Sequence, residues 1–171
     1  MRAKKHLLTQ HGKVMSGLLM ALFIVLSSCI KDDDVTILDT YIDLSFKDAD
    51  GNDLLSGSTD NAYKQDSIKL YYLINGKQER AYINNIEAPE GFYIYRYQQG
   101  VKNIMRLFPS EHDKGQKTTT YIKFNEAETD VIVCELIRWG SPNKTIAVTK
   151  VWYNDELVWN GEWPRYIEIV K

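Results

Sequence analysis

The sequence predicts an all-β fold, a single antiparallel β-sandwich of roughly eight to nine strands. Three observations predict it. Apolar and polar residues alternate with period two along most of the chain after residue 38, the pattern of half-buried strands. Turn dipeptides, Asn75-Gly76 foremost, punctuate the alternating runs, and Asn-Gly is a strong hairpin signal. No run of helical period is long enough to define a helix in that region.

The elements follow in order. In 41–46, Ile42, Leu44 and Phe46 share one face and Tyr41, Asp43 and Ser45 the other. Asp50-Gly51 suits a turn, and 54–65 (LLSGSTDNAYKQ) reads as a polar loop or irregular edge. In 66–74, Ile68, Leu70, Tyr72 and Ile74 alternate against Ser67 and Lys69. Further strand candidates are 79–84, 92–98, 101–108, 118–124, 131–138, 145–153, 156–159 and 165–170. The strand at 131–138 is apolar on both faces and is therefore placed centrally in its sheet. Gly140-Ser141-Pro142-Asn143 reads as a loop and Asn154-Asp155 as a turn.

The first 28 residues are of another kind. Arg2, Lys4, Lys5 and Lys13 precede an uncharged apolar run from Gly17 to Leu26. Ten residues of helix reach about 15 Å, half the roughly 30 Å of a bilayer core. A basic segment followed by a short apolar run has the form of a secretory signal, to be excluded from fold reasoning. The run ends Leu26-Ser27-Ser28-Cys29. All four positions resemble the lipobox of bacterial lipoproteins, in which the chain is cut before the cysteine and the thiol carries a diacylglycerol. That resemblance makes Cys29 the lipidated first residue of the mature chain and implies a palmitate-type anchor. Acyl chains contribute about 0.8 kcal/mol per buried CH₂, and two or three together hold durably.

Lys31-Asp32-Asp33-Asp34 follows at once. An acidic segment gains nothing from anionic headgroups and is by itself a solvated tether. It also resembles the lipoprotein export signal of Bacteroidetes-type bacteria, which implies an outer-membrane protein facing the cell surface. The segment around Asp48–Tyr72 is similar to small cell-envelope lipoproteins of that group whose function is unknown, which implies a β domain and no activity. The division is then 1–28 signal peptide, 29–38 lipidated cysteine and tether, and 39–171 sandwich. Asp66-Ser67-Ile68 is similar to the D-S/T-apolar sequon of Bacteroidetes-type O-glycosylation, which makes Ser67 an acceptor; it is equally an ordinary turn residue.

Charge excludes one class of partner. The signal carries four of the 21 basic residues and none of the 23 acidic ones, leaving 17 against 23, a formal charge of −6 from Cys29 onward. That balance argues against nucleic acid, whose phosphates require clustered Lys and Arg. With Cys29 lipidated, Cys134 has no intrachain partner. It alternates with Ile132 and Leu136, so it is expected to be buried and inert.

No catalytic constellation stands out. Asp48-Ala49-Asp50-Gly51-Asn52-Asp53 offers oxygens for calcium, but glycine is fourth rather than sixth and no glutamate sits at the twelfth place. A β-turn is the better reading, and no metal or cofactor is assigned. His112, the single histidine after the signal, lies between Glu111 and Asp113, whereas a triad converges from separate elements. It is read as a solvated loop residue. The aromatics are more suggestive: Tyr93, Tyr95 and Tyr97 share a strand face, and Trp152-Tyr153 and Trp159 to Trp163 follow. Tyrosine rows with polar tips bind sugars or protein partners; strands also favour tyrosine for packing alone. The expectation is a non-enzymatic, lipid-anchored binding module for a glycan or an envelope protein. The alternatives are a structural accessory subunit and a carboxylate-dependent hydrolase.

Overall fold

The computed structural model describes residues 37–82, 88–97, 102–111, 115–140 and 145–171. The folded unit runs from Thr36 to Lys171. Eleven strands lie among the described residues: β1 (Ile37–Asp39), β2 (Ile42–Lys47), β3 (Lys69–Ile74), β4 (Lys77–Arg80), β5 (Phe92–Tyr97), β6 (Lys102–Leu107), β7 (Lys117–Lys123), β8 (Thr129–Trp139), β9 (Thr145–Tyr153), β10 (Glu156–Trp159) and β11 (Tyr166–Val170). They form two sheets, one ordered β1-β9-β8-β7-β3-β4 with β10 also on β9, the other ordered β11-β2-β6-β5. One core lies between them. Ile42, Leu44 and Phe46 of β2, Met105 and Leu107 of β6, and Ile167 and Ile169 of β11 meet Leu70, Ile122, Ile132, Cys134 and Val151 of the other sheet. Phe46 sits edge-on to Phe124 at 5.1 Å between ring centroids. The all-β sandwich is therefore the fold.

Period two recovered nearly every strand, because alternation records which side chains face the core. It does not record direction. Both sheets are mixed rather than wholly antiparallel: β1 runs parallel to β9, and β11 runs parallel to β2. Each parallel pair joins strands from opposite ends of the sequence. β1 also begins at Ile37, so residues 37 and 38 of the expected tether belong to the sheet. The chain then crosses to the second sheet between Asp39 and Ile42.

The turns form as their residues require. Asn75 and Gly76 have φ of 50° and 77°, and Asn154 and Asp155 have 46° and 71°. Two consecutive positive φ values make the I′-type turn that matches strand twist. β8 lies between β9 and β7, the interior place its two apolar faces predict. A bulge falls in its pairing with β9, where Glu135 faces Lys150 and Leu136 faces Val148. The extra residue, Thr149, keeps both Ile146 and Val148 on one side of it, and Val151 and Tyr153 on the other, pointing inward.

The segment 54–65 is less polar in place than in sequence. Leu54 and Leu55 are buried, and Tyr63 stacks on Phe124 at 4.1 Å. Asp53 holds this segment against β6, accepting hydrogen bonds from the Asn103 backbone N–H (2.9 Å) and side-chain amide (2.8 Å). Gly91, with φ of +78°, enters β5 where a Cβ would stand 2.6 Å from the Tyr72 hydroxyl. Only glycine fits so close an approach in that conformation.

Candidate functional site

The outer face of the four-stranded sheet carries the site. Inward Ile42, Leu44, Phe46, Met105, Leu107, Ile167 and Ile169 leave the alternate residues of each strand pointing out. Register aligns Tyr166 with Asp43, Asp43 with Arg106 and Arg106 with Tyr93 in a single cross-strand row. Ile104 faces Tyr95 and Lys102 faces Tyr97 in the rows beyond. Phe92 is buried and Ile94 packs against the core, so the three tyrosines point outward. Arg96, which shares the parity of Phe92 and Ile94, lies exposed at the strand end.

A cleft of about 390 Å³ opens on this face, within the size range of small-ligand sites. Tyr95 and Tyr97 line it, joined by Tyr41, Tyr166 and Trp163. Tyr93 does not line it; its ring lies 5.8 Å from Tyr95 and 6.0 Å from Phe108, behind the wall. The floor is Ile104, which is 2 % exposed yet stands apart from the inter-sheet core. Its burial on an outward-facing position comes from the surrounding side chains. Trp163 at the rim is 83 % exposed. It precedes Pro164 through a cis peptide bond, in a loop pinned by a hydrogen bond from the Trp159 indole N–H to the Glu162 carbonyl.

Two arginines hold Tyr41 and Tyr95 in place. Arg106 donates from Nε and Nη2 to the two oxygens of Asp43, each at 2.8 Å. Its guanidinium lies 4.0 Å from the centre of the Tyr41 ring and 5.3 Å from that of Tyr95. The Tyr95 hydroxyl also donates to Asp43, at 3.1 Å. The Asp43 hydrogen bond raises the Arg106 pKa, so this guanidinium is a permanent cation. Burial, then the Asp43 charge, pushes the Tyr95 phenol up to about 12, so it remains a hydroxyl at neutral pH. Arg165, nine-tenths buried, donates to both carboxylate oxygens of Asp39 and to the carbonyls of Asp39 and Tyr41. It thereby ties the crossing segment to the start of β11, and its guanidinium lies 5.4 Å from the Tyr41 ring. Tyr166 is fixed by a 2.7 Å hydrogen bond with the Ser45 hydroxyl.

Other residues marked in the sequence lie elsewhere. Cys29, Lys31, Asp32, Asp33, Asp34 and His112 fall outside the described residues. Ser67 is exposed in a short 3-10 turn before β3. Asp48 caps its own turn, accepting from the backbone N–H groups of Asp50 (3.0 Å) and Asn52 (2.8 Å) and from the Asn52 amide. Cys134 is fully buried, and burial pushes its thiol up to about 12, which makes it unreactive.

The sequence marks three of the five rings that line the cleft among the described residues, Tyr95, Tyr97 and Trp163. Tyr41 was visible through its alternation with Ile42, and Tyr166 only as part of the strand candidate 165–170, but nothing in the sequence brings β11 beside β2. Arg106 and Arg165 gave no signal, since a lone arginine in a strand is ordinary. No family model, curated protein or solved structure matches the chain.

Proposed function

We propose that this protein is a lipid-anchored glycan-binding module of the bacterial cell envelope, held at Cys29 and facing the cell surface. The observation that carries the binding role is the cleft over Ile104, with an apolar floor, five aromatic rings and phenolic tips. Sugar rings present flat C–H faces between hydroxyls, and such surfaces match aromatic planes beside hydrogen-bonding groups. Tyr41 and Tyr95 are pre-positioned by Asp43–Arg106 and Asp39–Arg165, which lowers the ordering cost of binding. Among the described residues lining the cleft there is one carboxylate, Asp43, and both its oxygens are engaged. Hydrolysis of a glycoside ordinarily uses two acids flanking the bond, so the cleft favours binding over cleavage. The anchor and export route rest on Leu26 to Cys29 and Lys31 to Asp34.

Cys29→Ala is expected to abolish labelling by palmitate and to release the protein from membranes. The released protein is expected to be retarded in native gels containing a bound polysaccharide. Continued membrane partition with label would remove the anchor. Unchanged mobility across neutral and acidic polysaccharides would remove the glycan reading.

A further inference from the structure

We infer that the cleft selects an anionic sugar, a uronate or a sulfated residue, and that Lys102 is the side chain that reads its charge. The inference rests on the glycan reading above and narrows it. Among the described residues three cations line the cleft, Lys102, Arg106 and Arg165, against the single carboxylate of Asp43. They are not equivalent. Arg106 is matched by Asp43 in a two-point ion pair. Arg165 is spent on Asp39 and two backbone carbonyls. Both are structural, and their charges are answered within the protein.

Lys102 is not answered in the same way. Its ammonium lies 3.8 Å from Oε2 of Glu168, an oxygen already held by Lys47 at 2.9 Å. One carboxylate oxygen therefore serves two ammonium groups, and the shorter contact belongs to the lysine outside the cleft. The Lys102 side chain is 39 % exposed. Its ammonium stands 5.8 Å from the centre of the Tyr166 ring, and in register it lies opposite Tyr97. An under-neutralised cation is thus placed between two ring walls of an apolar-floored cleft. A sugar stacked there would bring an equatorial carboxylate or sulfate to hydrogen-bonding range of Nζ, where a charge-assisted bond forms. A neutral sugar would leave the excess positive charge unmatched.

The test is calorimetric titration of the full-length lipoprotein in neutral detergent. The probes are oligogalacturonate, carrageenan oligosaccharide and a neutral galacto-oligosaccharide, which carry carboxylates, sulfates and no charge. Binding of at least one anionic probe is expected to exceed that of the neutral one by about tenfold, and to weaken with salt as the charges are screened. Preference between the two anionic probes identifies the group. Lys102→Gln is expected to remove that tenfold preference while leaving melting unchanged, and Lys102→Arg to restore most of it. Glu168→Gln, which frees both lysines, is expected to tighten anionic binding. If the neutral probe binds as tightly as both anionic ones, charge selection is wrong and the glycan reading stands. If an anionic preference survives Lys102→Gln, the assignment to Lys102 is wrong. If none of the probes binds, the inference and the glycan reading fall together.

Discussion

Asp130→Ala is expected to destabilise the domain by about 3 kcal/mol, toward the lower end of the roughly 3–5 kcal/mol for removing one partner of a buried ion pair. Asp130 is buried at the start of β8. It accepts hydrogen bonds from the Tyr153 hydroxyl, from the Lys171 ammonium and, at 3.0 Å, from the Asn154 amide. It thereby joins the last residue of the chain, beyond β11 in one sheet, to the β9 turn of the other. Its loss strands a buried phenol. Lys171 keeps Glu128 at 2.8 Å, which places the effect at the lower end. Burial alone would push the Asp130 carboxyl up, but the bonds from Asn154, Lys171 and Tyr153 outweigh it and hold its pKa below the ordinary value. Arg165 lowers that of Asp39 by the same means. A carboxyl lowered in the folded state contributes fully above its unfolded pKa, about 3.9, and that contribution is lost as pH falls through the folded value. Urea melts of the wild type are therefore expected to weaken below about pH 4, and those of Asp130→Asn to weaken less. An equal acid dependence in both would place the acid-sensitive groups elsewhere.

Arg165→Met is expected to cost about 2–3 kcal/mol, from lost hydrogen bonds of a charged donor and carbonyls left bare. The carbonyls of Asp39 and Tyr41 lose the guanidinium that caps them. The Nε of Arg165 is buried without a partner, a standing cost that its removal returns, so the effect stays below the sum of its bonds. The same substitution is expected to weaken ligand binding, because Arg165 fixes the Tyr41 wall and the segment that follows Trp163. Melting curves and a titration on one preparation check both effects. Loss of stability with binding intact would separate the crossing segment from the site.

The contrast between β5 and the rest of the cleft shows how far the sequence carries. Tyr93, Tyr95 and Tyr97 announce a face because they recur at period two within one strand, and Phe92 and Ile94 take the opposite face as that period requires. Tyr41 immediately precedes β2 and Tyr166 lies in β11, and the neighbours of these strands are set by long-range pairing. β2 meets β11 across more than a hundred residues and in parallel, and no local pattern encodes that. Tyr93 shows the reverse error: its parity is right, but its place in the row beside Arg106 sets it behind the wall. The turn at Asn75-Gly76 was legible because positive φ there is a local steric demand. The parallel pairs were not, since alternation is indifferent to strand direction.

The most direct measurement is a ligand titration of Trp163→Ala/Tyr97→Ala beside its melting curve, using the tightest-bound polysaccharide. Both side chains are exposed at the cleft. Tyr95 is left in place because its cross-strand neighbour is the buried floor residue Ile104. Surface substitutions usually stay within about 0.5 kcal/mol per site, whereas aromatic binding hot spots carry about 2 kcal/mol or more. Affinity is expected to fall by about thirtyfold or more with melting nearly unchanged. Retained affinity, or a melting loss as large as that of a core truncation, would contradict a ligand platform on this face.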